Sequence, residues 1–228
     1  MRKVRVGIWG FGAMGIGMAN MILKKEGIEI VSVCSRSTSG KSMYDVLGIE
    51  RGERPEVIIN KNYEEVFREK SVDVVLLATD SFTKKAFDKI IFLLNRKINV
   101  ISTAEQMAYP QADDADLAKK MDEVAKENGV SILGTGINPG FVLDLLVLAL
   151  SGTCEEVTSI KAKRVNDLSP FGKSVMEEQG VGVTREEFIK GVEDKTIAGH
   201  VGFVESINMI ADGLGWKLDK IEQTKEPI

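Results

Sequence analysis

The sequence predicts an α/β protein with a doubly wound parallel sheet and a second, smaller α+β domain. Apolar runs of strand length alternate with helical patterns through residues 1–135, which is typical of a parallel sheet covered on both faces. After Gly134 the elements become sparse. We therefore expect one domain over residues 1–135 and another over residues 136–228, the latter short or truncated.

Several apolar runs have the length of strands. The run over residues 72–78 is apolar almost throughout, as expected of a strand buried on both faces. The predicted strands are residues 4–9, 29–34, 57–59, 72–78, 99–102 and 130–133.

Helical periodicity follows these strands. The first helix should stop at Gly27, and later helices are expected around residues 82–93 and over residues 113–128. The buried face of the first helix is expected to consist of Met14, Met18, Met21 and Ile22.

The second part is predicted to open with a buried apolar helix over residues 141–150. Residues 157–165 alternate between apolar and polar residues, which predicts a strand with one face exposed to solvent. A loop over residues 169–182 should lead to a helix begun by Thr184 with Glu187. A further helix carries Val204, Ile207, Ala211 and Leu214. Because these elements are too few for an independent core, we expect a homo-oligomer, most simply a dimer.

Composition and charge narrow the possible partners. Of 228 residues, 43% are hydrophobic and 28% are charged, with a formal net charge of −4. We therefore expect neither nucleic acid nor membrane as a partner. Cys34 and Cys154 lie in no paired motif, which favours reduced thiols and a cytoplasmic location. The single histidine, His200, and the lack of a cysteine cluster argue against a metal site.

A glycine motif follows the first strand. Gly10, Gly12 and Gly15 form G-x-G-x-x-G at a predicted strand–turn–helix junction, where glycines let the backbone approach a pyrophosphate. This setting predicts a Rossmann-type dinucleotide-binding domain. The residues assigned to the cofactor here are Gly10, Phe11, Gly12, Ala13, Met14 and Gly15.

The second strand ends without the acidic residue that usually holds the ribose of NAD. Arg36 can instead pair with a 2′-phosphate, and Ser35, Ser37 and Thr38 can donate hydrogen bonds to it. These residues predict NADP(H) as the preferred cofactor. In the alternative, Arg36 stacks on the adenine and NAD is accepted as well.

Ligands of open α/β sheets lie beyond the carboxyl ends of the strands. That rule selects residues 79–81, 103–105 and 134–140. Glu105 has apolar neighbours and is the candidate general base, although a capping or solvated glutamate fits equally well. Thr79 and Asp80 are expected beside the cofactor, with a turn or cap role as the alternative for Asp80.

Four motifs together resemble the 2,4-diaminopentanoate dehydrogenase and native amine dehydrogenase family, which has a dihydrodipicolinate-reductase-like Rossmann domain. They are GFGAMG (10–15), LLATDSF (76–82), ISTAEQMAYP (101–110) and GTGINPGFVLD (134–144). The resemblance covers nearly the whole chain, and family members usually have a fuller C-terminal domain. It implies an oxidoreductase of amino-acid metabolism that uses NAD(P) to convert a primary amine into a ketone and ammonia.

The resemblance also implies roles for particular residues. Glu105 matches the glutamate of the family's TAE segment and would be the catalytic acid/base. Asn138 and Pro139 would border the cofactor. The implied substrate residues are Phe141, Asn166 and His200.

Two other functions stay open at this point. A dihydrodipicolinate-reductase-like enzyme would share the scaffold, although that family carries a histidine-rich helix that a chain with one histidine lacks. A non-catalytic NADP-binding sensor would need only the first domain.

Overall fold

A computed structural model describes residues 2–168 and 172–227 of the chain. Within it the chain divides into two compact units, Met1–Gly136 and Ile137–Ile228. The division falls one residue after the boundary expected from the sequence. The roles assigned to the two units stay predictions.

The first unit contains a five-stranded sheet in which every neighbouring pair is parallel. Its strand order is β2-β1-β3-β4-β5, which confirms the predicted doubly wound α/β fold. The strands are β1 (Val4–Trp9), β2 (Ile28–Cys34), β3 (Val74–Leu77), β4 (Asn99–Ser102) and β5 (Ile132–Gly134).

Helices cover both faces of this sheet, and each face buries its own apolar cluster. One cluster is centred on Val75, Leu77 and Ile90, the other on Ile8, Val33 and Met43. The helices are α1 (Ala13–Ile22), α2 (Met43–Leu47), α3 (Tyr63–Val66), α4 (Thr83–Leu94) and α5 (Ala115–Asn128).

The strand predicted over residues 57–59 is wrong. Ile58 forms only an isolated antiparallel bridge with Ser42, and Asn60 forms only an isolated parallel bridge with Cys34. The segment turns from one partner to the other within two residues, so no continuous ladder develops.

The buried face predicted for α1 is wrong for Met14 and Met21, which are 53% and 59% exposed. Ile22 packs against an apolar cluster as predicted, and the fully buried residues of the helix are Gly15 and Ala19. A Cβ on Gly15 would lie 2.0 Å from the Gly10 carbonyl oxygen. This close packing sets the rotation of the helix and turns the methionines outward.

In the second unit the structure describes helices but no strand. They are α6 (Leu145–Ser151), α7 (Lys173–Glu178), α8 (Arg185–Glu193) and α9 (Phe203–Leu214). The helix start predicted at Thr184 with Glu187 is confirmed. Thr184 is the N-cap of α8, and its side chain and that of Glu187 form a capping box with the backbone. No described helix is long and apolar enough to cross a membrane.

Three predictions for this unit need correction. The strand expected over residues 157–165 is irregular chain, and its alternating pattern finds no partner strand among the described residues. The helix expected over residues 141–150 begins only at Leu145, because Asp144 acts as its N-cap. It contains no buried residue, contrary to the prediction of a buried helix. The loop expected over residues 169–182 contains α7, and residues 169–171 lie outside the described residues.

Candidate functional site

The glycine loop joins β1 to α1 against the end of β3. Gly10 has φ +99°, and a Cβ there would lie 2.3 Å from the Ala78 carbonyl oxygen, so only glycine fits. Gly12 differs, because a Cβ on it would meet nothing within 4 Å. The space over Gly12 is where the backbone can receive a ligand's phosphates.

A cavity of about 750 Å³ opens beside this loop, within the range of about 300–1,000 Å³ that is usual for small-molecule sites. The predicted cofactor residues that line it are Gly10, Phe11, Gly12, Ser35, Arg36, Ser37, Thr79 and Asp80. Of the other assigned residues in this unit, Ala13, Met14 and Gly15 begin α1, and Thr38 lies beyond the lining with its hydroxyl buried.

The residues around the cavity fit a phosphorylated dinucleotide. Trp9 and Tyr63 stack with ring centroids 4.9 Å apart, and Phe92 meets Tyr63 edge-on at 4.8 Å. These rings give one wall an apolar face suited to a base. Arg36 is an exposed residue of the lining and follows Ser35, whose hydroxyl is hydrogen-bonded to that of Ser37.

Asp80 has a partner within the protein. Its carboxylate accepts hydrogen bonds from the Thr79 hydroxyl and the Lys89 ammonium, each at 2.6 Å. The Asp80 and Lys89 side chains are 16% and 30% exposed. This pair joins the loop after β3 to α4. The cofactor role and the turn role predicted for Asp80 both stay predictions.

Sequence reasoning did not assign Lys61, which also lines the cavity. Its position just after residues 57–59, which were predicted as a strand, is the feature of the sequence that could have indicated it. Because that segment bridges to Cys34, Lys61 reaches the same edge as Arg36.

Glu105 begins a short 3₁₀ helix, Glu105–Ala108, directly after β4, and is half-buried. The neighbouring Gln106 holds this helix to the loop after β3. Its N–H donates to the Ser81 carbonyl at 3.2 Å, and its side-chain oxygen accepts the Thr83 N–H at 3.0 Å. Glu105 does not line the cavity, so its role beside the nicotinamide stays a prediction.

Gly134 supports the same helix, and sequence reasoning missed this. A Cβ on Gly134 would lie 1.7 Å from the Met107 carbonyl oxygen, so any side chain would push the helix away. The ends of β3, β4 and β5 lie side by side, with Leu77 paired to Ser102 and Ser102 to Gly134. Residues 79–81, residues 103–105 and the start of the 134–140 loop therefore leave the sheet at one edge. Their place beside the nicotinamide stays a prediction.

The remaining predicted site residues belong to the second unit. The Asn138 amide donates a hydrogen bond to His200 Nε2 at 2.9 Å, whereas Phe141 is 47% exposed and Asn166 lies exposed in irregular chain. Pro139 packs near Gly202, where a Cβ would meet its ring at 2.4 Å. The cofactor and substrate roles of these residues stay predictions.

Asp144 organises the loop that carries Asn138, which was not anticipated. It is fully buried and accepts hydrogen bonds from the Gly140 and Leu145 N–H groups at 2.7 Å each. The Ser206 hydroxyl donates to it at 2.8 Å. A buried carboxylate with three donors fixes the loop against α9.

His200 is expected to be neutral at pH 7. Burial, and secondarily the Arg164 charge, lower the pKa of its imidazole from the usual 6.5. Because an amide nitrogen only donates, Nε2 accepts from Asn138 and carries no proton. The lowered folded-state pKa means that stability falls as the pH drops below the unfolded value of about 6.5.

NMR titration of the single imidazole measures this pKa directly. A value below 6.5, moving toward 6.5 in Arg164→Ala after loss of the Arg164 charge, is the expected result. A parent value above 6.5 would contradict the prediction.

Comparison with known proteins identifies the family. A model of the 2,4-diaminopentanoate dehydrogenase C-terminal domain matches residues 141–228, and a semialdehyde dehydrogenase NAD-binding domain model matches residues 5–132. The chain is 62% identical over 230 aligned positions to 2,4-diaminopentanoate dehydrogenase of Acetoanaerobium sticklandii. Because the NAD-binding model spans more than half of the chain, the chain belongs to the semialdehyde dehydrogenase NAD-binding domain family. Along its whole length it is similar to 2,4-diaminopentanoate dehydrogenase.

The chain spans less than two thirds of the length of these relatives. The match covers all of it but 65% of the Acetoanaerobium sticklandii protein. Among solved structures, an amine dehydrogenase from Mycobacterium smegmatis matches 95% of this chain and 63% of its own, with a TM-score of 0.77 and 22% identity. That likeness shows the shared fold. The NAD-binding family assignment agrees with the dinucleotide cofactor inferred from the glycine loop.

Proposed function

We propose that this protein oxidatively deaminates a primary amine resembling 2,4-diaminopentanoate to a ketone and ammonia, with NADP⁺ as hydride acceptor. The observation that carries the proposal is the 62% identity along the whole chain to a 2,4-diaminopentanoate dehydrogenase. The cavity beside the glycine loop supports it, because its residues suit a phosphorylated dinucleotide.

In this proposal Glu105 performs the proton transfers. An alkylammonium cannot release hydride until it loses a proton, and the Glu105 carboxylate takes that proton. Loss of hydride then leaves an iminium, and Glu105 releases the first proton to solvent. Water attacks the iminium while the Glu105 carboxylate accepts a proton from that water. Glu105 gives this proton to the nitrogen of the resulting carbinolamine, ammonia leaves, and Glu105 takes up the hydroxyl proton as the ketone forms. The bound cofactor supplies the acceptor for the hydride.

NADPH formation tests the proposed reaction. The protein is incubated with NADP⁺ and a panel of diamino acids, simple amino acids and monoamines, and absorbance is followed against a blank without amine. We expect NADPH to form with 2,4-diaminopentanoate-like diamino acids and ammonia to be released in equal amount. Cofactor binding without amine-dependent NADPH formation would contradict the proposal and favour a sensor.

Arg36 is proposed to create the preference for NADP(H). Its guanidinium can pair with the 2′-phosphate, a group that NAD lacks. The parent protein should therefore bind NADP(H) several-fold tighter than NAD(H). Arg36→Ala should remove most of that difference and leave NAD(H) affinity nearly unchanged. Fluorescence titration of both reduced cofactors measures it, and equal affinities in the parent protein would contradict the proposal.

We further propose a cytoplasmic homodimer. The dimer is supported by exposed apolar side chains: Leu145 and Leu150 of α6 are 51% and 61% exposed. Exposed apolar residues of this kind often form the contact with a partner subunit. Sedimentation equilibrium tests the assembly. A stable and active monomer at micromolar concentration would contradict it.

A further inference from the structure

Cations outnumber acids around the cavity in the first unit. Its lining includes Arg36, Lys61, Lys85 and Lys89 but only Asp80 and Asp88. Lys89 is paired with Asp80, and Lys85 lies 4.9 Å from the centre of the Phe82 ring. Arg36 and Lys61 are recorded in no ion pair within the part of the chain that the structure describes, which leaves both charges available to a ligand.

The backbone fixes Lys61 beside Arg36. The Ser35 N–H donates to the Asn60 carbonyl at 3.0 Å, and the Asn60 N–H donates to the Val33 carbonyl at 3.1 Å. The Cys34 thiol donates to the Lys61 carbonyl at 3.8 Å. These bonds hold residue 61 next to the end of β2, while the lysine side chain itself is exposed and makes none of them.

We propose that Lys61 is a second specificity-determining cation, which binds the 2′-phosphate of NADP(H) together with Arg36. This inference rests on the proposed use of NADP(H). A phosphate monoester carries a charge of about −1.5 to −2 at pH 7, so one guanidinium does not neutralise it. Arg36 supplies planar, directed donors, and Lys61 supplies a mobile point charge from the neighbouring segment.

The binding of adenosine fragments tests Lys61 without requiring turnover. Calorimetry on the whole chain compares 2′,5′-ADP, which carries the extra phosphate, with 5′-AMP, which lacks it. We expect Lys61→Ala to weaken 2′,5′-ADP binding about tenfold, the size of one charge-assisted contact, and to change 5′-AMP binding less than about twofold. Lys61→Arg should restore most of the loss, because it restores the charge.

Lys41→Ala is the matched control. Lys41 is exposed and lies outside the cavity lining, so this variant removes the same charge without touching the site. It should bind both fragments as the parent does. Melting temperatures of all variants should agree, because the backbone bonds of residue 61 are unchanged.

Three outcomes would overturn the inference. If Lys61→Ala weakens both fragments equally, Lys61 does not read the 2′-phosphate. If Arg36→Ala loses affinity for 2′,5′-ADP and Lys61→Ala does not, Arg36 acts alone and the proposed NADP preference stands. If the parent protein binds both fragments equally, the cofactor preference itself is wrong.

Discussion

Replacing Glu105 by Gln is expected to lower kcat for amine oxidation by about 10²–10⁴-fold, the usual contribution of a general acid–base group. The amide keeps the shape of the side chain and most of its hydrogen bonds but cannot take a proton. NADP(H) affinity should stay nearly unchanged, because Glu105 lies outside the lining of the cofactor cavity. Steady-state kinetics with a diamino acid and cofactor titration measure the two effects.

A structural role for Glu105 would give a different result. Glu105 begins a 3₁₀ helix. If its side chain only supports that helix, its substitution should lower the melting temperature and leave turnover intact. Glu127→Gln is the matched control, since Glu127 is exposed on α5 and the charge change is the same. Near-normal kcat with a lowered melting temperature in Glu105→Gln would refute the catalytic role.

The sequence predicted the bounds of β1 and β4 best. β1 is followed by Gly10 and β4 runs from Asn99 to Ser102, so a glycine or polar residues mark where these mainly apolar runs end. The loops of the candidate site followed from these strands. Once parallel order is established, the carboxyl ends of neighbouring strands must share an edge.

The errors arose where tertiary contacts decide the outcome. The methionines of α1 have helical spacing, but the contact of Gly15 with Gly10 rotates the helix and buries a face of small residues instead. Residues 157–165 alternate as a strand does, yet alternation stabilises a strand only beside a partner edge. Local sequence reveals neither the contact of Gly15 with Gly10 nor whether residues 157–165 have a partner strand.

Parts of the candidate site were hidden for the same reason. Gly134 looks like an ordinary strand-end glycine, and only the structure shows Met107 occupying the space of its absent side chain. Lys61 lies outside every motif and reaches the cavity through bridges made by the preceding residues. Asp144 interrupts an apolar run in the sequence, whereas in the structure it is a buried acceptor of three hydrogen bonds.

Replacing two glycines of the phosphate loop by alanine should have different effects, one on cofactor affinity and the other on stability. Gly12→Ala should leave the melting temperature nearly unchanged, because the backbone there has φ −90° and the new methyl would meet no protein atom within 4 Å. Cofactor affinity should nevertheless fall more than about tenfold, since the methyl occupies the space through which the backbone approaches a pyrophosphate.

Gly10→Ala should instead damage the fold. The residue has φ +99°, and its Cβ would lie 2.3 Å from the Ala78 carbonyl oxygen, so the loop must shift away from β3. Backbone strain and overpacking together should lower the free energy of unfolding by about 2–4 kcal/mol. Chemical denaturation and NADPH titration of both variants separate the effects. If Gly12→Ala binds cofactor as the parent does, the space over Gly12 is not the phosphate site.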